Sequence, residues 1–183
     1  MILNNIKPFE NVYEILPLLH KDERGFFFES YSKSSLSKYI NIDVEFIQDN
    51  HSMSKKNVIR GMHFQENPVS QQKLLRCIRG SVLEIIVDIN TSSKTFLKYC
   101  MLEVSEKKQN QVFIPNGYAH GFLSLEDNTH LIYKTDNLFS PSNQVTLKWD
   151  DPDVKINWPI KSVNAILSTR DKNAISFKEY FGL

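Results

Sequence analysis

The chain has 183 residues, 41% apolar and 23% charged, ordinary proportions for one globular domain with a real core. A net charge of +1, with no basic run longer than Lys55-Lys56 or Lys107-Lys108, argues against nucleic acid or a charged membrane surface as partner. No apolar run is long enough to span a bilayer, and MILNNIKPFENVYEI lacks the basic and apolar segments of a secretory leader. The two cysteines, Cys77 and Cys100, lack CxxC spacing, so buried thiols in a reducing cytoplasm are expected.

In chain order, the first helix signal is Ser32–Tyr39, where a serine cap opens a stretch carrying Leu36 and Tyr39. Short β-branched and aromatic runs then follow one another: Val44–Gln48, Asn57–Phe64, Leu74–Ile78, Ser81–Ile89, Lys98–Val104, Gln111–Ile114, Gly121–Leu125, Thr129–Thr135 and Val145–Trp149. Turn formers separate them, among them Arg79-Gly80, Asn90-Thr91-Ser92-Ser93, Pro115-Asn116-Gly117 and Ser140-Pro141-Ser142. Many strands without alternating helices predict an antiparallel sandwich or barrel, of which a jelly roll is one form. After Pro159 only weak helical turns remain, at Asn164–Leu167 and Ser176–Tyr180. The expected architecture is all-β with a few short helices: a single domain over 1–183, its core at about 44–150 and a helical tail at about 160–183.

Within this frame the stretch RGMHFQ, residues 60–65, carries a strand histidine. Strict alternation would set Arg60, Met62 and Phe64 on one face and Gly61, His63 and Gln65 on the other. A second histidine, His120, follows a Pro-x-Gly turn in PNGYAHGF. PxGxxH resembles the second half of the cupin metal signature, but the first half needs a second histidine where this chain has Gln65. His63 and His120 alone are an incomplete ligand set, so no metal is expected.

Acid–base chemistry is the other use of such residues. Proton abstraction beside a carbonyl needs a base, a donor for reprotonation and a positive group near the developing enolate. His63 can be the base, Tyr133 in LIYKTD the donor, Lys73 in QQKLL the cation, and Asp171 in STRDK the carboxylate that orients the imidazole. Each has an ordinary rival role, in the core or on the surface, and spacing alone does not bring the four together.

The segments DERGFFFESY, QDNHSMS, VIRGMHFQ, QQKLLRCIRGSVLEIIVDI, VFIPNGYAHGFLSL, YKTD, WDDP, INWP and LSTRD together resemble the dTDP-4-dehydrorhamnose 3,5-epimerases over nearly the whole chain. The resemblance implies a cupin-like jelly roll and a cytoplasmic homodimer without a cofactor, working in surface polysaccharide biosynthesis. The implied reaction is epimerisation at C3, C5 or both of a nucleotide-diphospho-4-keto-6-deoxy sugar, hexose or heptose. By the same resemblance His63 is the base, Asp171 its orienting partner and Tyr133 the proton donor, while Arg24, Glu29, Gln48, Asn50, Arg60, Lys73 and His120 contact substrate. Arg24 and Glu29 belong to a segment expected to cross to the neighbouring subunit.

Two positions depart from the family pattern at the nucleotide end. Phe139 stands where a tyrosine is usual, and Gln144 where a glutamate is usual. Phenylalanine still stacks on a base but lacks the hydroxyl, and glutamine lacks the charge. A guanosine-linked sugar therefore stands beside a thymidine-linked one. C3-only epimerisation, ketoisomerisation and a metal-dependent cupin reaction are the alternatives.

Overall fold

A computed structural model describes residues 1–183. Its strands are β1 (Ile2–Asn5), β2 (Tyr13–Leu16), β3 (His20–Asp22), β4 (Gly25–Phe27), β5 (Gln48–Ser54), β6 (Ile59–Gln65), β7 (Lys73–Arg79), β8 (Ser81–Asp88), β9 (Tyr99–Ser105), β10 (Gln111–Ile114), β11 (Tyr118–Ser124), β12 (Thr129–Thr135) and β13 (Gln144–Thr146). The helices are α1 (Lys33–Ile40), α2 (Thr169–Lys172) and α3 (Phe177–Phe181), with a single 3₁₀ turn at Ser162–Asn164. All strand pairings are antiparallel.

Two sheets face each other, in the orders β1-β2-β10-β7-β12-β5 and β13-β6-β11-β8-β9, and β3-β4 form a separate hairpin. Alternation along the strands builds three apolar clusters. Leu75, Val82, Ile86, Val112, Phe122 and Leu131 meet in one of them, drawn from strands of both sheets. Ile59, Met62, Ile85 and Leu123 pack with Leu147, Trp149, Trp158 and Phe177, so the C-terminal segment covers the other face of the five-stranded sheet. Leu36 and Ile40, one turn apart on α1, pack with Ile15, Leu74 and Phe113 of the six-stranded sheet. Ser32 caps α1 by accepting from Ser35 N, and Asn41 ends it in the left-handed region.

The main difference from the sequence reading lies before β6. The strand falls on Gln48–Ser54 rather than Val44–Gln48. QDNHSMS has no apolar alternation because β5 is an edge strand, held by its ladder to β12 rather than by an apolar face. Val44 instead packs beneath α1. The short β1 and β2, outside the 44–150 span, join the six-stranded sheet. The run at Val145–Trp149 shortens to β13, with Leu147 continuing as an isolated bridge to Ile175.

Candidate functional site

A cavity of about 520 Å³ opens between the sheets, walled by β6 and β11 on one side and β12 and β5 on the other. His63, His120, Phe122, Leu131, Tyr133 and Ser52 line it, with Phe139, Gln144 and the 166–171 segment at its edge. A smaller recess of about 70 Å³ joins Lys73 to His63, His120, Tyr133, Phe139 and Gln144. Side chains more than a hundred residues apart in sequence therefore share one space.

Arg60 and His63 line the same cavity rather than opposite faces. The ladder between β6 and β11 pairs His120 with His63 but Phe122 with Arg60, so three steps along β6 oppose two along β11. This bulge resets the alternation. It needs glycine on both strands: a Cβ on Gly61, where φ is +137°, would lie 2.5 Å from Gly121 Cα, and one on Gly121 would lie 2.8 Å from Arg60 O. Arg60 then reaches Ser54 Oγ at 3.2 Å and Met53 O at 3.1 Å.

His63 Nε2 lies 2.7 Å from Asp171 Oδ1, which leaves Nδ1 for the cavity. Asp171 is buried and sits on α2, whose N-cap Ser168 accepts from Asp171 N and donates to Asp171 Oδ2 at 2.7 Å. Burial alone would raise this carboxyl, but hydrogen bonds from His63, Ser168 and the Gly61 backbone outweigh it and hold the group below the usual range. The hydrogen-bonding partner of His63 is thus a carboxylate at neutral pH.

His120 has its own carboxylate. Its Nδ1 lies 2.7 Å from Oε1 of the fully buried Glu84, while Glu84 Oε2 has no partner. Burial drives Glu84 well above the ordinary carboxylate value, against the pull of Lys73. Burial, helped by Lys73 and His63, pushes His120 well below the usual imidazole value, so its ring is neutral. Lys73 is itself buried, donating to Gln71 Oε1 at 3.3 Å, and desolvation lowers it to about 8 despite Asp136 and Glu84. Desolvation raises the Tyr133 phenol against the influence of Arg60, keeping its proton in place.

Other residues singled out in the sequence fall at the rim or outside. Gln48 accepts from Phe139 N at 2.9 Å and donates to Asn50 Oδ1 at 2.8 Å, so it fixes the loop bearing Phe139. Asn50 is the Cα partner of Tyr133. Gln144 accepts from Arg170 Nη1, placing a neutral amide beside that guanidinium. Arg24 and Glu29 do not line the cavity; Arg24 is exposed on the β3–β4 hairpin beside Asp22, and Glu29 accepts from Ser35 Oγ. Sequence reading did not single out Ser168 or Arg170 and gave Glu84 no role. Ser168 was findable, because Ser-x-x-Asp is a capping signature. Glu84 showed as one acid inside the apolar run Val82–Val87, at a position where the resembled family usually has an aspartate, and neither fact gave it a role. No group of three or more His, Cys, Asp or Glu side chains is arranged to hold a metal ion.

An antiparallel sandwich with such a cavity between its sheets is the cupin-like class of β fold. The family model for dTDP-4-dehydrorhamnose 3,5-epimerase matches residues 7–179. The epimerase of that name from Shigella flexneri is 41% identical, the match covering 90% of this chain and 91% of the relative. The crystal structure of the Elizabethkingia anophelis enzyme superposes with a TM-score of 0.93 at 36% identity, covering 98% and 97% of the two chains. A Legionella pneumophila dTDP-6-deoxy-D-glucose-3,5-epimerase, solved with dTDP-4-keto-L-rhamnose, gives 0.91 at 32% identity, covering 97% and 94%. The chain belongs to the dTDP-4-dehydrorhamnose 3,5-epimerase family. It is a carbohydrate epimerase, an isomerase.

Proposed function

We propose that this protein epimerises a nucleotide-diphospho-4-keto-6-deoxy sugar at C3 and C5, with dTDP as the leading nucleotide. The observation that carries this reading is the His63–Asp171 pair in a cavity shared with Tyr133. A hydrogen on C3 or C5 is acidic because the C4 carbonyl can hold the resulting charge as an enolate. His63 Nδ1 takes that proton, and the imidazolium formed is stabilised by Asp171. Lys73 lowers the energy of the enolate oxygen as a cation. Tyr133 returns a proton from the other face, which turns exchange into inversion.

Arg60 and Arg170 supply positive charge at the cavity wall for the diphosphate, and Phe139 offers a ring face to the base. The nucleotide end is where this chain departs from its family, at Phe139 and Gln144. Arg24 and Glu29 reach substrate only from a second copy of the chain, in a homodimer with shared sites. The deciding experiment is NMR in deuterated water with dTDP- and GDP-linked 4-keto-6-deoxy sugars. The expected result is deuterium at C3 and C5 of the dTDP sugar and none with His63→Ala. Exchange at near the parental rate in that variant would remove His63 as the base.

A further inference from the structure

On the opposite side of β5 and β12 from the cavity lies a second histidine pair that epimerisation does not use. His51 Nε2 and His130 Nδ1 are 2.9 Å apart, their ring centroids 5.1 Å apart and their planes inclined by 52°. Ser52 and Tyr133 line the cavity, so alternation turns His51 and Met53, and His130 and Ile132, the other way. The register pairs Met53 with His130 and Ile132 with His51. Two imidazoles and a thioether therefore occupy adjacent places on one face. His51 and Met53 lie on the sheet's edge strand and are exposed.

We propose that His51, His130 and Met53 form a copper-binding site separate from the epimerase cavity. Two nitrogens each about 2.0–2.1 Å from one metal lie about 2.9–3.4 Å apart when they subtend angles between square-planar and tetrahedral. The observed 2.9 Å separation falls at that range, so rotation of the two rings within their present positions converts a shared hydrogen bond into a chelate. The thioether selects among metals. Imidazole suits several first-row ions, but methionine sulfur favours copper, and the Irving–Williams order places Cu(II) above its neighbours.

Hard cations find no site here. Magnesium and calcium need oxygen ligands, and Asp49, two residues before His51 on the same strand face, is held by Lys134 at 2.7 and 3.0 Å. Arg79, the β7 partner of His130, adds a positive charge that further disfavours ions bound by charge alone.

The test titrates the full-length, metal-free protein with Cu(II), followed by calorimetry and electron paramagnetic resonance, and with Cu(I) against a chromophoric chelator. One equivalent of Cu(II) should bind with hyperfine structure from two imidazole nitrogens, while magnesium and calcium give no signal. His51→Gln and His130→Gln should each weaken Cu(II) by at least about tenfold, because a chelate becomes a single ligand. Met53→Leu should spare the Cu(II) nitrogen pattern and weaken Cu(I). His20→Gln, elsewhere on the surface, should change neither. Near-ultraviolet circular dichroism and epimerase rate establish that each variant is folded, and if one histidine variant does not fold the other decides. Histidine variants that bind Cu(II) within threefold of the parent would overturn the site, and parental Cu(I) affinity in Met53→Leu would remove the thioether from it.

Discussion

At the scale of single residues, the site divides its titratable groups by environment. Asp171 keeps its charge because donors surround it, whereas Glu84, at the same distance from its histidine, is driven toward the neutral acid by burial beside an orphan oxygen. The two histidines consequently differ. His63 faces a fixed negative charge suited to a base that must become cationic, and His120 is a neutral ring suited to hydrogen bonding. Asp171→Asn keeps the shape but removes that charge, so kcat for deuterium exchange should fall by about 100-fold or more while folding persists. Tyr133→Phe should lose inversion more than exchange at one or both carbons, measured on the same NMR samples. Lys73 sets a pH limit of defined sign. Its lowered value of about 8 means the ammonium is present below that pH and lost above it. Activity should therefore decline as pH rises through about 8, and Lys73→Met should be slow without that limb. A limb unchanged in Lys73→Met would assign it to another group. Treatment with EDTA should leave the epimerase rate untouched, and a rate restored only by a divalent ion would contradict this.

At the scale of elements, the β6–β11 bulge does more than join two strands. It brings Arg60 to the face of His63, and it depends on the two glycine backbones lying almost in contact. Gly121→Ala should cost about 1–3 kcal/mol in stability through forced separation of the strands. It should also depress kcat/KM, since Arg60 and His63 would no longer share a wall; a denaturant midpoint and rate both equal to the parent's would contradict this. The bulge explains why alternation, applied to RGMHFQ, put Arg60 on the wrong side. A period of two is a property of unbroken strands, and the extra residue is visible only against the partner strand. Thr129–Thr135 and Gln111–Ile114 were legible to the residue because each is a β-branched and aromatic run bounded by turn formers. QDNHSMS was not legible as a strand, because its polar pattern answers to an edge position, a cavity and a ladder rather than to a core. Asp171 was available from the chemistry as a carboxylate to orient His63, but only the resemblance assigned it; nothing local to either residue reveals a contact across 108 positions.

At the scale of the whole molecule, the proposed shared site rests on one feature of the fold, the β3–β4 hairpin. The β3–β4 hairpin is two three-residue strands, too little to be stable alone, and it carries Phe26 and Phe27 at 53% and 72% exposure. Adjacent exposed phenylalanines on a projecting ribbon are the chemistry of an interface. At the turn sits Arg24, whose only ionic partner is its neighbour Asp22. In the isologous dimer proposed above, each hairpin would lie on the other subunit and Arg24 of one chain would meet the cavity of the other. The mass in solution should then be about twice 21.3 kDa, and Phe27→Asp should shift it toward monomer with loss of rate. Mixing makes the sharper test. Arg24→Ala should be impaired because both sites lose a phosphate contact, and His63→Ala should be inactive because both lose the base. A heterodimer of the two, formed by unfolding and refolding together, holds one site with both defects and one with none. Activity should therefore rise well above the sum of the separate variants. If Arg24 served its own chain's cavity, every site in the mixture would carry a defect and no rise would follow, so an unchanged rate would exclude the shared site.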